Sequence, residues 1–171
     1  MSRPAGALAP WLTIAAVVVL ADQGVKGLIV AALQPGESRA YTGFFNLVLA
    51  YNRGAAFSLL ADASGWQRPV FMAVALAAVA LIVWLLRRPS SNRVFSLGLS
   101  LILGGALGNL WDRARLGYVI DFLDFHALGY HWPAFNVADS AITVGAALLI
   151  YDGFRAQRRG AESHSADSHS G

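Results

Sequence analysis

The sequence predicts an all-α membrane protein: four transmembrane helices, with a small extracytoplasmic β-sheet and a short interfacial helix between the first two. Three observations carry that prediction. Of the 171 residues, 56% are hydrophobic and only 13% charged, and the mean hydropathy is +0.51. A soluble domain carries about 25% charged residues, so this chain lacks the polar surface to cover itself in water. Four apolar segments, residues 11–33, 70–86, 95–110 and 137–154, come close to the ~17–25 residues a spanning helix needs. Basic residues gather at segment ends, with Arg87, Arg88 and Arg93 in the second connection and Arg155, Arg158 and Arg159 after the last segment. Such clusters mark cytoplasmic flanks.

The first segment has some of the look of a signal peptide. Its apolar run is too long for one, it contains Asp22 and Lys26, and only Arg3 precedes it. It reads as a retained helix. Four spans with cytoplasmic second connection and tail put both termini inside. Connections 34–69 and 111–135 then face outward. They contain Arg39, Arg53, Arg68, Arg113 and Arg115, so the charge asymmetry is incomplete. Several of these arginines lie beside carboxylates and polar motifs, which gives them another job.

Within the first outward connection, Phe45, Leu47, Leu49 and Tyr51 alternate with Asn46, Val48, Ala50 and Asn52. A period of two argues a strand, and Pro35-Gly36 and Gly43 supply turn signals. The run Ala55-Ala56-Phe57-Ser58-Leu59-Leu60 suits a helix lying on the membrane. In the third span Gly104 and Gly108 stand at helical spacing, a small-residue face for close helix packing. Residues 1–159 read as one domain, and the small polar stretch 160–171 reads as a disordered tail.

The chain has no cysteine, which removes disulfides, thiol catalysis and cysteine-ligated metals. Its net charge of +3 is scattered over segment ends, so no nucleic-acid partner is expected. His126 and His131 do not form the His-Glu-x-x-His signature of a zinc peptidase, and His164 and His169 lie in the polar tail. Neither a metal nor a cofactor is called for. Ser140 lacks the Gly-x-Ser-x-Gly elbow of a nucleophile, and Lys26 is the only lysine that could serve it as base.

Ionisable groups at membrane depth cost roughly 2.5–3.5 kcal/mol each and usually have a function. Asp22 and Lys26 are four residues apart in the first span, on one helical face with the acid leading. They form either a neutralised pair holding helices together or a support for a site. Asn109 and Arg113 share a face at the end of the third span, with Asp112 adjacent. A snorkelling helix end and a polar network beneath an active site both fit them. Asp121 and Asp124 compete in the third connection, and the preceding Tyr118-Val119-Ile120 slightly favours Asp121 as the more buried. Asn136 and Asp139 open the fourth span, where free N–H groups and the helix dipole favour a carboxylate.

Five stretches in order resemble the lipoprotein signal peptidase (signal peptidase II) family. They are Asp22-Gln23-x-x-Lys26, Ala50-Tyr51-Asn52-Arg53-Gly54-Ala55-Ala56-Phe57, and Gly104-Gly105-Ala106-Leu107-Gly108-Asn109-Leu110-Trp111-Asp112-Arg113. Gly117-Tyr118-Val119-Ile120-Asp121-Phe122 and Phe135-Asn136-Val137-Ala138-Asp139-Ser140 complete the set. The resemblance implies a monomeric aspartic peptidase of the bacterial inner membrane, with its active site toward the outer face. It would cut signal peptides from prolipoproteins just before a diacylglyceryl-modified cysteine. The family's catalytic aspartates fall on Asp121 and Asp139, so the resemblance chooses Asp121 over Asp124. Its supporting residues fall on Asp22, Lys26, Asn52, Gly54, Asn109, Arg113, Asn136 and Ala138. The partners it implies are lipidated prolipoproteins and membrane lipids. A small transporter using Asp22, Lys26, Arg113 and Asp139 as a relay is the rival reading. It needs ionisable groups across the membrane depth, whereas here they gather toward the outward side.

Overall fold

The structure is a computed structural model that describes residues 8–53, 67–88 and 92–167. In chain order it comprises α1 (Ala9–Ala32), β1 (Ser38–Thr42), β2 (Phe45–Asn52), α2 (Gln67–Arg87), α3 (Arg93–Arg115), β3 (Val119–Ala127), β4 (Tyr130–His131) and α4 (Val137–Asp167). Three helical stretches are long and apolar enough to cross a membrane: Ala9–Ala32, Arg93–Arg115 and Val137–Gln157. The apolar part of α2, Met72–Arg87, is shorter. The predicted interfacial helix falls on residues outside those described. α4 continues to Asp167, through most of the stretch where composition predicts a disordered tail.

α3 is the central helix, packed against α1, α2 and α4. Small residues allow this. A Cβ on Gly104 would stand 2.6 Å from Val18 Cβ of α1, and one on Gly98 would stand 2.9 Å from the Gly145 carbonyl oxygen of α4. Gly104 and Gly108 face α1, while Gly98 and Gly105 face α4, so two small-residue faces replace the single one read from spacing. The apolar core here joins Ala15, Ile82, Leu86, Leu99 and Leu103. Away from it the helices carry large exposed apolar side chains, Leu20, Leu28, Val74 and Phe154 among them. In water these would be unfavourable, and in lipid they are solvated.

The sheet is antiparallel throughout, in the order β1-β2-β3-β4. The alternation in residues 45–52 correctly predicts β2. Its partners β3 and β4 come from the third connection, which shows no period-two signal. Val119, Ile120, Asp121 and Phe122 are all buried, because both faces of β3 are covered. A strand buried on two sides loses its alternation. Gly117, at φ 84°, makes the turn from α3 into β3, a left-handed conformation that glycine adopts without strain. A second core cluster of Ile29, Leu33, Leu49, Ile120 and Phe122 binds the sheet to the end of α1. The sheet, the ends of α1 and α3 and the start of α4 therefore meet at one end of the helices.

Candidate active site

Asp121 and Asp139 meet at that end through a shared neighbour. Asn136 precedes the first residue of α4 and is fully buried. Its Oδ1 accepts from the Asp139 backbone N–H at 2.9 Å, and the Asn136 N–H donates to Asp139 Oδ2 at 3.3 Å. This reciprocal exchange is a capping box, and it locks the Asp139 carboxylate over the helix N-terminus. Asn136 Nδ2 donates to Asp121 Oδ1 at 2.7 Å, and also reaches the Ile120 carbonyl and Asn109 Oδ1, each at 3.2 Å. One amide thus fixes both carboxylates.

The remaining oxygens have their own donors. Asn52, the last residue of β2, donates to Asp121 Oδ2 at 3.0 Å. Asn109 of α3 donates to Asp139 Oδ1 at 2.7 Å. The charge of Arg113, one turn on from Asn109, is felt at Asp139 and Asp121, and its Nη1 donates to the Asn109 carbonyl at 3.4 Å. A register shift in β2 between Leu47 and Ala50 sits beside the Ala50–Asp121 pair. Bulges of this kind re-aim side chains next to functional sites. Burial pushes the Asp121 carboxyl up to about 7; the Asp139 charge adds to this, while hydrogen bonds from Asn52 and Asn136 oppose it.

Asp22 and Lys26 belong to a second cluster directly beneath. Lys26 Nζ lies 2.7 Å from Asp22 Oδ2 and 2.7 Å from Asp112 Oδ2, with all three side chains buried. It also donates to Asn109 Oδ1 at 3.2 Å. Asp22 Oδ1 accepts the Ala138 backbone N–H at 2.9 Å, so α1 caps the first turn of α4. Ala138 contributes this N–H and its small size, since it packs fully buried against Gly105 and Gly108. Asp22 and Lys26 form an ion pair, and Asp22 also binds the backbone N–H one residue before Asp139.

Sequence reasoning left Asp112 undecided and missed Gln23. Asp112 Oδ2 accepts the Ile120 N–H at 3.2 Å, which ties the end of α3 to β3 one residue before Asp121. Gln23 Nε2 bridges Asp112 Oδ1 at 2.9 Å and Asp22 Oδ2 at 3.1 Å. Nothing in its spacing distinguishes Gln23 beyond adjacency to Asp22. Gly54 lies outside the described residues.

Asp124, the competitor, is also buried but points elsewhere. Three residues along a strand reverse the face, so the shared face that a helix would give does not arise. Its carboxylate accepts from Asn46 Nδ2 at 2.8 Å and pairs with His131 Nδ1 at 2.9 Å. Burial pushes its pKa up, but the Asn46 and His131 contacts outweigh that and hold it below the usual carboxylate range. His126 stacks on His131 with ring centroids 4.8 Å apart.

A family model described as signal peptidase (SPase) II matches residues 14–155. The chain is 60% identical to the lipoprotein signal peptidase of Burkholderia vietnamiensis over 92% of this chain and 96% of that one. It is 59% identical to the lipoprotein signal peptidase of Ralstonia nicotianae, over 88% and 87%. A solved bacterial membrane enzyme, determined by the in meso method, matches with a TM-score of 0.76 at 32% identity, covering 86% of this chain and 88% of that one.

Proposed function

The chain belongs to the signal peptidase II family, and we propose that it hydrolyses prolipoproteins with Asp121 and Asp139 as a catalytic aspartate pair. As a peptidase of this family it removes the signal peptide from prolipoproteins. In the proposed reaction the cut falls just before the diacylglyceryl-modified cysteine. The observation that carries the reading is the set of donors around the two acids: Asn52, Asn109 and Asn136 hold both carboxyls in place through neutral amides.

That environment lets the two acids divide the work. Two carboxyls held together do not both ionise easily, and they share a proton. The proton rests on Asp121, whose pKa burial raises to about 7. Asp139 is left the role of base, with the α4 N-terminus, Asn109 and the Arg113 charge around it. Asp139 draws a proton from water as the water attacks the scissile carbonyl carbon. Asp121 donates its proton to the carbonyl oxygen, giving a neutral tetrahedral diol. Collapse of the diol expels the amine, with Asp139 now the proton donor and Asp121 the acceptor. Proton transfer of this kind contributes about 10²–10⁴-fold in rate.

The proposed setting is the bacterial inner membrane, crossed four times, with the termini cytoplasmic and the sheet on the outer face. Arg87, Arg88 and Arg93 stand at the helix ends away from the sheet, and Arg155 lies in the half of α4 away from it, which supports this orientation. The Arg88 guanidinium lies 3.6 Å from the Trp84 ring centroid, an arrangement suited to a membrane interface. Substrate acyl chains and the signal helix would lie in apolar grooves between helices, reaching the acids from lipid. A monomer suffices, since every residue assigned to the pair comes from one chain.

The test is cleavage by purified enzyme of a precursor peptide with and without diacylglycerol on its cysteine. The lipidated peptide should be cut before the cysteine and the bare peptide much more slowly. Equal rates would remove the acyl groove from the account, and cleavage elsewhere would remove the assigned site.

A further inference from the structure

One outward arginine takes no part in the proposed chemistry. Arg115 ends α3, is exposed, and lies against the Trp111 ring with its guanidinium 5.7 Å from the centroid. Among the described residues no carboxylate pairs with it. The nearest candidate in sequence, Asp112, is already engaged by Lys26, Gln23 and the Ile120 N–H.

Arg115 borders a cavity of about 320 Å³ between Gly27 and Val30 of α1, Trp111 of α3 and Leu116 just after it, with Gln23, Lys26, Asp112 and Ile120 along its inner wall. A Cβ at Gly27 would meet nothing within 4 Å, so α1 leaves the cavity open there. Val30, Trp111 and Leu116 are exposed and apolar. Both bordering helices are long and apolar enough to span a membrane, and the cavity lies at their sheet-bearing ends. The cavity therefore combines an apolar slot open to lipid, a tryptophan at interfacial depth and an unpaired cation at the mouth.

We propose that this cavity is a phospholipid site, holding an acyl chain over Gly27 and Val30 and the headgroup phosphate on Arg115. Charge complementarity selects a phosphate-bearing lipid over a neutral diacylglycerol. Arginine's planar fork matches phosphate oxygens bidentately, and the apolar wall of Val30, Trp111 and Leu116 favours an anion that carries an acyl chain. Lys26 and Asp112 of the buried cluster form part of the cavity's inner wall, and neither Asp121, Asp139 nor the three asparagines that bind them line the site. It stands or falls independently of the aspartate assignment.

Native mass spectrometry of the detergent-purified full chain, titrated with phosphatidylglycerol, tests the proposal. Wild type should retain one lipid that survives delipidation. Arg115→Gln should weaken retention by about five- to tenfold, as expected for loss of one charge–phosphate contact near a membrane surface, and Arg115→Lys should restore part of it. Gly27→Leu should fill the slot and abolish retention without lowering the melting temperature, because leucine is the better helix former. Diacylglycerol should bind poorly, and millimolar inorganic phosphate should not displace the lipid. Wild-type retention by Arg115→Gln and Gly27→Leu would overturn the proposal. So would displacement by inorganic phosphate, which would mark a plain anion site, or equal binding of diacylglycerol, which would mark an apolar slot alone.

Discussion

Two buried pairs of carboxylates lie one layer apart, and they are solved in opposite ways. Asp22 and Asp112 share an ammonium, with Lys26 Nζ at 2.7 Å from each. Asp121 and Asp139 share an amide, with Asn136 binding both. A cation between two acids balances their charge and fixes their geometry. An amide satisfies lone pairs without settling where the proton sits. The first arrangement is a frame, and the second is suited to chemistry. Asn109 joins them, accepting from Lys26 through Oδ1 and donating to Asp139 through Nδ2. The proposed acids are thus held by the frame without being neutralised by it.

Breaking each pair should give different failures. Asp121→Asn should lower processing of a lipidated precursor in cells by about 10²-fold or more, with the protein still abundant in the membrane. The amide keeps the size of the side chain it replaces and one of its two acceptor contacts. Lys26→Met should act on the frame, leaving two buried carboxylates uncompensated at a cost of about 3–5 kcal/mol. Its signature is a lower melting temperature and less folded protein. Should Lys26→Met fold normally and lose only catalysis, the division between frame and chemistry fails.

Asn52→Ala sharpens the same division through pH. The Asn52 hydrogen bond favours ionised Asp121, so removing it should raise that carboxyl further above about 7. In the wild type, kcat/KM should decline as pH rises through about 7 and the acid proton is lost. In Asn52→Ala that alkaline limb should move to higher pH. Stability has the same sign, since the folded protein binds this proton more tightly than the unfolded chain. The Asp121 contribution is complete below the normal carboxylate range and lost as pH rises through about 7. An unshifted limb would place the titrating proton on another group. Asp124→Asn should have the smallest effect, less than about threefold on cleavage. Its carboxylate serves Asn46 and His131 on the opposite strand face.

The helices were readable because hydropathy acts over whole segments, and β2 was readable because only one of its faces is apolar. β3 was not, since Val119 to Phe122 are buried on both sides and show no period. The same cause hid the separation of Asp121 from Asp124, which the residues alone could not decide. The amide donors around Asp121 and Asp139 were equally hidden, because they come from β2, α3 and the residue before α4. Asn109 and Asn136 stood out by their helical spacing to Arg113 and Asp139, and the family resemblance adds Asn52. Gln23, which bridges two carboxylates, and Asp112, which anchors β3, lie in the matching stretches but received no role of their own there.

The most direct measurement is the initial rate at which purified Asp139→Asn enzyme, matched to wild type in melting temperature, cleaves a diacylglyceryl-modified precursor. The account predicts a rate lower by about 10²-fold or more. A folded Asp139→Asn enzyme that cleaves at the wild-type rate would contradict it.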